Sequence, residues 1–334
     1  MTKGTKIFRI TICILLALTM LATAFFSLAL VAFAKVMVLT SEYGIWVAGE
    51  AVTRENKKDI LGDGTVSYNA TYNIITFENA VIEYDYTILQ SEHDLTVNLI
   101  GENKFVCKGG EYITAVAAGE GHINNVLSIE GDGSLTIELK NISGGMQGII
   151  AENLTIGADV TVTTRSCDGI MNGIVAMSTL YVVNGATITV NSGTAQHSTA
   201  VRAYGNALLE QGTAMNISAS SGSTETCKGL SVNGDLILGK NAQMNVTLED
   251  TTAQVSECIR VTGTLDVGVN ATISASAKNT YGIECYGAIK VNQGSTVSAK
   301  SEAEGADILC YGAFVNYGAS VSADIDALGG VHNK

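Results

Sequence analysis

The stretch Ala186-Thr-Ile-Thr-Val190 is one copy of a five-residue phrase that decides the fold: small or apolar, polar, apolar, polar, apolar. Side chains of a β-strand point to alternate faces, so the phrase predicts a short strand with Ile188 on one face and Thr189 on the other. The phrase occurs seven times between residues 148 and 323. The copies are Ala158–Val162, Ala186–Val190, Met215–Ala219, Ala242–Val246, Ala271–Ala275, Ser295–Ala299 and Ala319–Ala323.

The copies follow one another at a nearly constant spacing. Their central apolar residues are separated by 28, 29, 27, 29, 24 and 24 residues. A repeat of this length built on strict alternation is typical of a stack of coils, in which each coil contacts only its neighbours. On this alignment we expect Ile188 and Ile217 to be vertical neighbours on successive coils.

Each coil contains two further apolar segments upstream of the phrase. The first set is Gly148–Ala151, Gly173–Ala176, Ala200–Ala203, Gly229–Val232, Cys258–Val261, Gly282–Cys285 and Asp307–Cys310. The second set is Leu154–Ile156, Leu180–Val182, Leu236–Leu238, Leu265–Val267 and Ile289–Val291. About three short strands per coil of 24–29 residues predict an all-β fold, a right-handed parallel β-helix or β-solenoid, with the handedness inferred from coil length alone.

Residues 1–34 have the character of an export segment. Lys3, Lys6 and Arg9 are followed by an uncharged stretch over 10–33, and Ala32-Phe33-Ala34 has the form of a cleavage site. The apolar run is also long enough to span a bilayer, so a signal peptide and an uncleaved N-terminal membrane anchor both stay open. Either interpretation places residues 35–334 outside the cytoplasm, secreted or attached to the cell surface.

The rest of the chain divides into three predicted segments. Residues 35–70 are expected to cap the first coil, with Trp46 as part of the cover, because an open strand edge over an apolar interior invites association. Residues 71–323 form the predicted solenoid. Residues 324–334 are a short polar C-terminal tail that covers the last coil poorly, so end-to-end association is expected there.

The charge of the chain limits its partners. The whole sequence has a net charge of −13. Because residues 1–34 hold three basic and no acidic residues, residues 35–334 carry 16 basic against 32 acidic residues, a net charge of −16. Such a surface repels nucleic acid and anionic lipid. Contact with a membrane is expected only through the N-terminal segment, if it is not cleaved.

The mature chain resembles a known group of proteins over nearly its whole length. The motifs are Ile45–Gly49, Asp59–Tyr68, Ile75–Ile82, Leu95–Asn103 and Leu154–Ala158. In this order they resemble the repetitive extracellular proteins of Gram-positive, Clostridia-like anaerobes that are labelled carbohydrate-binding domain-containing. The resemblance implies a secreted or surface-attached β-solenoid that binds sugars, but its motifs carry no ligand residues. The chain departs from the pattern because it has no proline, hence no Leu-Pro-type sortase signal, and no C-terminal apolar tail.

Alignment of the segments that begin each coil places two rows of residues on the outside. The first row is Arg202, Ser231, Arg260, Glu284 and Leu309, and the second is Tyr204, Asn233, Thr262, Tyr286 and Tyr311. Tyrosines at coil spacing offer rings that stack on sugars, while arginine and glutamate bind hydroxyl groups. The candidate ligand-binding residues are therefore Arg202, Tyr204, Arg260, Glu284, Tyr286 and Tyr311. In the alternative, Tyr286 and Tyr311 stack only on each other, and Arg260 and Glu284 form an exposed ion pair of little energy.

The carboxylates do not form a recognisable catalytic set. A polysaccharide lyase or hydrolase needs converging carboxylates, or carboxylates with calcium and a basic residue. The nearest candidates, Asp235 with Asp266 and Asp324 with Asp326, have no arginine or lysine at a facing position. No catalytic residue and no cofactor is therefore assigned.

The cysteines and histidines also lack the spacing of a metal site, so no metal is assigned. Cys285 and Cys310 fall at matching inward positions of successive coils, about 4.8 Å apart. Parallel Cβ vectors would strain a disulfide there, so a stacked pair of free, buried thiols is expected.

These observations predict an exported, non-catalytic β-solenoid that binds a polysaccharide or cell-wall glycan. A structural or adhesive surface spacer without a small ligand is the alternative, and a polysaccharide lyase or hydrolase is the third choice.

Overall fold

The computed structural model describes residues 41–119, 125–220, 225–249, 252–302 and 305–334, so the predicted export segment lies outside the described residues. The described part of the chain contains β-strands and no α-helix. Within it, no helical segment has the length and apolar character needed to cross a bilayer. The fold is a parallel β-solenoid of stacked coils, which confirms the predicted fold class.

The strands are short throughout the chain. They are β1 (Ile45–Val47), β2 (Glu50–Ala51), β3 (Val66–Asn69), β4 (Ile74–Glu78), β5 (Val81–Tyr84), β6 (Leu89–Ser91), β7 (Leu95–Ile100), β8 (Glu102–Cys107), β9 (Tyr112–Ala118), β10 (Val126–Gly131), β11 (Ser134–Leu139), β12 (Gly145–Ala151), β13 (Asn153–Ile156), β14 (Asp159–Thr164), β15 (Ile170–Ala176), β16 (Leu180–Val182), β17 (Thr187–Ser192), β18 (His197–Ala203), β19 (Ala207–Leu209), β20 (Ala214–Ala219), β21 (Thr226–Val232), β22 (Leu236–Leu238), β23 (Gln243–Leu248), β24 (Val255–Val261), β25 (Leu265–Val267), β26 (Thr272–Ala277), β27 (Ile283–Cys285), β28 (Ile289–Val291), β29 (Thr296–Ser301), β30 (Ile308–Cys310), β31 (Phe314–Asn316), β32 (Ser320–Ser322), β33 (Ile325–Ala327) and β34 (Val331–Asn333).

Three sheets run along the solenoid, each built from one strand per coil. Sheet A has the order β2-β1-β6-β9-β12-β15-β18-β21-β24-β27-β30-β33. Sheet B has the order β3-β4-β7-β10-β13-β16-β19-β22-β25-β28-β31-β34, and sheet C the order β5-β8-β11-β14-β17-β20-β23-β26-β29-β32. The segments that begin each coil lie in sheet A, the middle segments in sheet B and the five-residue phrase in sheet C, as predicted.

The connections between the sheets differ in how constant they are. From β15 to β31, each connection from sheet A to sheet B has three residues. Each connection from sheet B to sheet C has four residues between β16 and β29. The connections from sheet C back to sheet A have four to six residues between β17 and β30. Variation in coil length comes from these connections and from the sheet A strands, which shorten from seven residues in β24 to three in β27 and β30.

Alternation fills the interior as the sequence predicts. The central residues of the phrase that are fully buried are Val160, Ile188, Ile217, Met244, Ile273 and Val297. Val321, in the last coil, is partly buried and packs against the same core. Full burial of an aliphatic side chain stabilises the fold by about 1.5–3 kcal/mol, so the continuous core is the main favourable contribution.

The register of one coil differs from the prediction. Ile188 pairs with Met215, and Ile217 pairs with Val190, so the expectation that Ile188 and Ile217 are vertical neighbours is wrong. A shift of two residues keeps every side chain on its own face, because the alternation has a period of two. Alternation alone therefore identifies the buried face but not the register.

A column of left-handed residues at the corner between sheets B and C marks the register. Its members are Gly185, Gly212, Asn241, Asn270, Gly294 and Gly318, with φ between 57° and 82°. A Cβ atom destabilises this conformation, and glycine and asparagine tolerate it best. Alignment of the sequence on these residues gives the observed pairing of Ile188 with Met215.

The two ends of the solenoid are built differently. Sheets A and B begin with antiparallel pairs, β1 with β2 and β3 with β4, and Trp46 lies in β1. At the other end, β33 and β34 continue sheets A and B in parallel, so the stretch 324–334, expected as a tail, adds strands to the solenoid. Ile325 and Ala327 of this last coil are only partly buried.

Replacement of Asn241 by alanine tests the corner column. Asn241 is exposed and has φ of 59°. We expect Asn241→Ala to lower the free energy of unfolding by about 1 kcal/mol, because alanine disfavours a left-handed backbone, whereas Asn241→Gly should change it by less than about 0.5 kcal/mol. Urea unfolding followed by circular dichroism measures both. Equal stability of the alanine and glycine variants would contradict this account of the corner.

Candidate functional site

The outer face of sheet A carries most of the predicted site. Its strands β9, β12, β15, β18, β21 and β24 have seven residues each, longer than any strand of sheets B and C among the described residues. In the middle of each strand two successive residues are buried, for example Ala200 and Val201. An outward residue lies on each side of this pair, Thr199 upstream and Arg202 downstream.

The outward residues form two rows along the solenoid axis. The upstream row is Thr114, Gln147, Asn172, Thr199, Lys228 and Glu257. The downstream row includes Arg202, Ser231, Arg260, Glu284 and Leu309 as predicted, and continues to Asp326. The alignment of the first predicted row is therefore confirmed.

Many side chains of these rows are recessed although they point outward. Thr199 and Ser231 are only 4% and 3% exposed, and the side chain of Arg260 is 24% exposed. Arg202 reaches across the two rows, since its Nη2 donates a hydrogen bond to Thr199 Oγ1 at 3.3 Å. The two rows shield each other from water and form a polar recess.

A cluster of three charges lies within this recess. Lys228 and Glu257 are neighbours on β21 and β24, and Lys228 Nζ lies 2.7 Å from Glu257 Oε2. Arg260 Nε lies 3.6 Å from Glu257 Oε1 on the same strand. Glu284 is the neighbour of Arg260 on β27, but Arg260 forms its ion pair with Glu257. Sequence reasoning missed Lys228 and Glu257, because it did not align the upstream halves of the strands.

The row of tyrosines follows directly after the strands of sheet A. The amides of Tyr204, Asn233, Thr262, Tyr286 and Tyr311 donate to the equivalent carbonyl group of the preceding coil, at 2.9 Å in each case. The five residues therefore occupy one row, as the second predicted alignment requires.

The rings of Tyr286 and Tyr311 are stacked on each other. Their centroids are 4.7 Å apart and the interplanar angle is 13°. The guanidinium of Arg260 lies 5.0 Å from the Tyr286 ring centroid, at a distance typical of a cation–π interaction. Arg260 and Tyr311 are thus both ring partners of Tyr286, and a sugar that stacks on Tyr286 competes with them. The mutual stacking of the two tyrosines, which is the alternative interpretation of this row, is present.

The six candidate residues fall into two groups. Arg202 donates from Nη1 to Tyr204 Oη at 3.0 Å, and its guanidinium lies 5.4 Å from the Tyr204 ring centroid. Arg260, Glu284, Tyr286 and Tyr311 form the other group, which begins two coils further along. With coils about 4.8 Å apart, the backbones of Arg202 and Arg260 are separated by about 10 Å.

Two of the four aspartates considered for catalysis, Asp235 and Asp266, have structural partners. Asp235 Oδ1 accepts a hydrogen bond from the Thr264 amide at 2.7 Å, and Asp266 Oδ1 accepts one from Asn292 Nδ2 at 2.8 Å. Each carboxylate therefore ties one coil to the next. Among the described residues, no group of three or more histidine, cysteine, aspartate or glutamate side chains is placed to hold a metal ion.

The six described cysteines are buried, and none of them forms a disulfide. Cys285 and Cys310 are neighbours on β27 and β30, as expected for a stacked pair. The hydrogen bond with Cys310 and burial both raise the pKa of Cys285. Burial also raises the pKa of Cys107 and of Cys258 to about 12.

Comparisons of the chain with protein-family models, with curated proteins and with solved structures gave no match. The resemblance to carbohydrate-binding domain-containing proteins therefore stays a prediction from the sequence.

Removal of the negative charge of Glu257 tests the charge cluster. We expect Glu257→Gln to lower the free energy of unfolding by about 1–3 kcal/mol, because Lys228 and Arg260 then lose the carboxylate that lies between them in the recess. Glu284→Gln, on the next strand of the same face, is the matched control and should cost less than about 1 kcal/mol. Urea unfolding measures both, and equal losses would show that Glu257 does not balance these charges.

The reactivity of the thiols tests their burial. Because the raised pKa values of Cys107, Cys258 and Cys285 keep these buried groups protonated at pH 8, we expect a thiol reagent to react with them very slowly in the folded protein. All should react quickly once the protein is unfolded in guanidinium chloride. Fast labelling of the folded protein, located by peptide mass spectrometry, would contradict the burial of the labelled residue.

Proposed function

We propose that this chain is an exported, non-catalytic β-solenoid that binds a neutral polysaccharide along the outer face of sheet A. One observation carries the proposal: polar and charged side chains of this face point outward and yet are held in a recess, in rows that repeat from coil to coil. Such a surface pre-orients its hydrogen-bonding groups, which reduces the entropy lost when a ligand is bound.

The groups in the recess suit a sugar polymer. Arg202 and Arg260 are donors, Glu284 is an acceptor, and the hydroxyl groups of Tyr204 and Tyr311 serve as either. Because the rows are parallel to the solenoid axis, a linear polymer laid along them meets a polar or charged side chain on most coils. A repeating ligand therefore gains several weak contacts from one extended site.

The charge of the protein selects among polysaccharides. Residues 35–334 carry twice as many acidic as basic residues, so long-range electrostatics disfavour polyanionic chains such as polyuronates. Within the recess, Glu257 lies beside both Lys228 and Arg260 and offsets part of their positive charge. A neutral glycan is therefore the favoured ligand.

A structural or adhesive surface spacer without a small ligand is the second candidate function. It is supported by the arrangement of Arg260, Tyr286 and Tyr311, because these side chains already satisfy one another. A glycan array probed with residues 35–334 distinguishes polysaccharide binding from the spacer function. Specific binding to some glycans favours the first, and no binding to any glycan favours the second.

Replacement of Tyr286 and Tyr311 by alanine tests the proposed face. We expect the double variant to lose retention in affinity electrophoresis through gels that contain neutral glucan, mannan or xylan, because it removes two hydroxyl groups and the support of Arg260. Tyr181→Ala is the matched control, since Tyr181 is 39% exposed on sheet B and Tyr286 is 40% exposed. Unchanged retention of the double variant would remove this face from consideration.

A further inference from the structure

A notch lies on sheet A at the start of the long strands, away from the candidate residues. Tyr112 and Gly145 are neighbours on β9 and β12, and Ile170 is the equivalent residue on β15. Tyr112 and Ile170 are 72% and 52% exposed, while Gly145 between them has no side chain. A cavity of about 220 Å³ lies beside these residues, with Tyr112, Gly145 and Ile170 in its lining.

The ring of Tyr112 occupies a position that the glycine makes available. A Cβ atom added to Gly145 would lie 2.8 Å from Tyr112 Cδ1 and 3.0 Å from Cε1. Any other residue at 145 would therefore displace the ring. Tyr112 also differs from Tyr286, whose ring contacts Tyr311 and Arg260. Among the described residues Tyr112 has no aromatic or cationic partner of this kind, and most of its side chain is exposed to solvent.

The lining of the notch is mixed in character and uncharged. Tyr112 and Ile170 supply exposed apolar surface, and Thr114 and Gln147 supply a hydroxyl and an amide from the upstream row. No lysine, arginine, aspartate or glutamate contributes to the lining. An aromatic ring beside neutral hydrogen-bonding groups matches the two sides of a pyranose, whose C–H groups are apolar and whose hydroxyl groups are polar.

We propose that this notch binds a single neutral pyranose ring, with its C–H face against Tyr112 and its hydroxyl groups toward Thr114 and Gln147. Thr114 and Gln147 belong to the same upstream row as Thr199, which lies two coils beyond Gln147. The notch is therefore a second subsite on the face assigned to the polysaccharide, and in that respect the inference rests on the proposed function. Its affinity for a free sugar does not depend on the polymer.

The test measures the binding of free sugars to residues 35–334 by saturation-transfer NMR titration. The probes are glucose, galactose, mannose and N-acetylglucosamine, with glucuronic acid as the charged comparison. We expect at least one neutral sugar to bind, with saturation strongest on the protons of one ring face, and glucuronic acid to bind more weakly. Absence of binding by every neutral sugar would overturn the inference.

Variants locate the site. Tyr112→Ala should weaken binding by about tenfold. Gly145→Val should abolish binding, because its side chain displaces the Tyr112 ring, while valine itself is favourable in a strand. Tyr112→Phe keeps the ring and should retain binding. Circular dichroism establishes that each variant is folded, and because Tyr112 is exposed, Tyr112→Ala remains decisive even if Gly145→Val does not fold. Unchanged affinity of Tyr112→Ala would overturn the assignment.

The Tyr286→Ala, Tyr311→Ala double variant separates this inference from the proposed function. It should bind free sugar at the notch with unchanged affinity while it loses retention by polysaccharide. Loss of free-sugar binding in this double variant would place the sugar at the tyrosine row and overturn the notch. If polysaccharide is never retained but free sugar is lost in Tyr112→Ala, the notch is supported and the proposed extended site fails.

Discussion

The hydrogen-bond ladder between coils is the constraint on which this structure depends. A strand of two to seven residues cannot satisfy its own backbone, so its N–H and C=O groups find partners only on the strands beside it. The ladder forces equivalent residues to lie above one another. Core residues therefore stack on core residues, and Asn or Gly stacks on Asn or Gly at the corner between sheets B and C. All residues of one column therefore share the same environment and must suit it.

The same constraint explains what the sequence predicts well. Alternation assigns a residue to the inside or the outside, and it does so correctly for Ile188 and Ile217 even though it pairs them wrongly. The register is set by backbone conformation at the corner, where a positive φ is required, and a hydrophobic pattern contains no information about φ. An alignment of the corner glycines and asparagines pairs Met215 with Ile188.

The candidate site could be predicted only in part. The rows that contain Arg260 and Tyr286 follow from alignment, because they lie next to the regular half of each strand of sheet A. Whether an outward residue is exposed or recessed depends on its neighbours on the face, so the near-complete burial of Ser231 could not be read from alternation. Lys228 and Glu257 lie in the less regular half of these strands. The choice of Glu257 as the partner of Arg260 is a matter of side-chain geometry, which no spacing rule reports.

The unequal connections have a consequence for how such a protein diversifies. The turns from sheet A to sheet B and from sheet B to sheet C keep a fixed length over most of the solenoid, while the return from sheet C to sheet A does not. Each return enters sheet A beside the upstream row of the recess. Insertions and deletions are tolerated best where the chain is at the surface and outside the ladder. Lineages that carry this scaffold can thus remodel the rim of one face by changes in a single class of loop, and leave the interior unchanged.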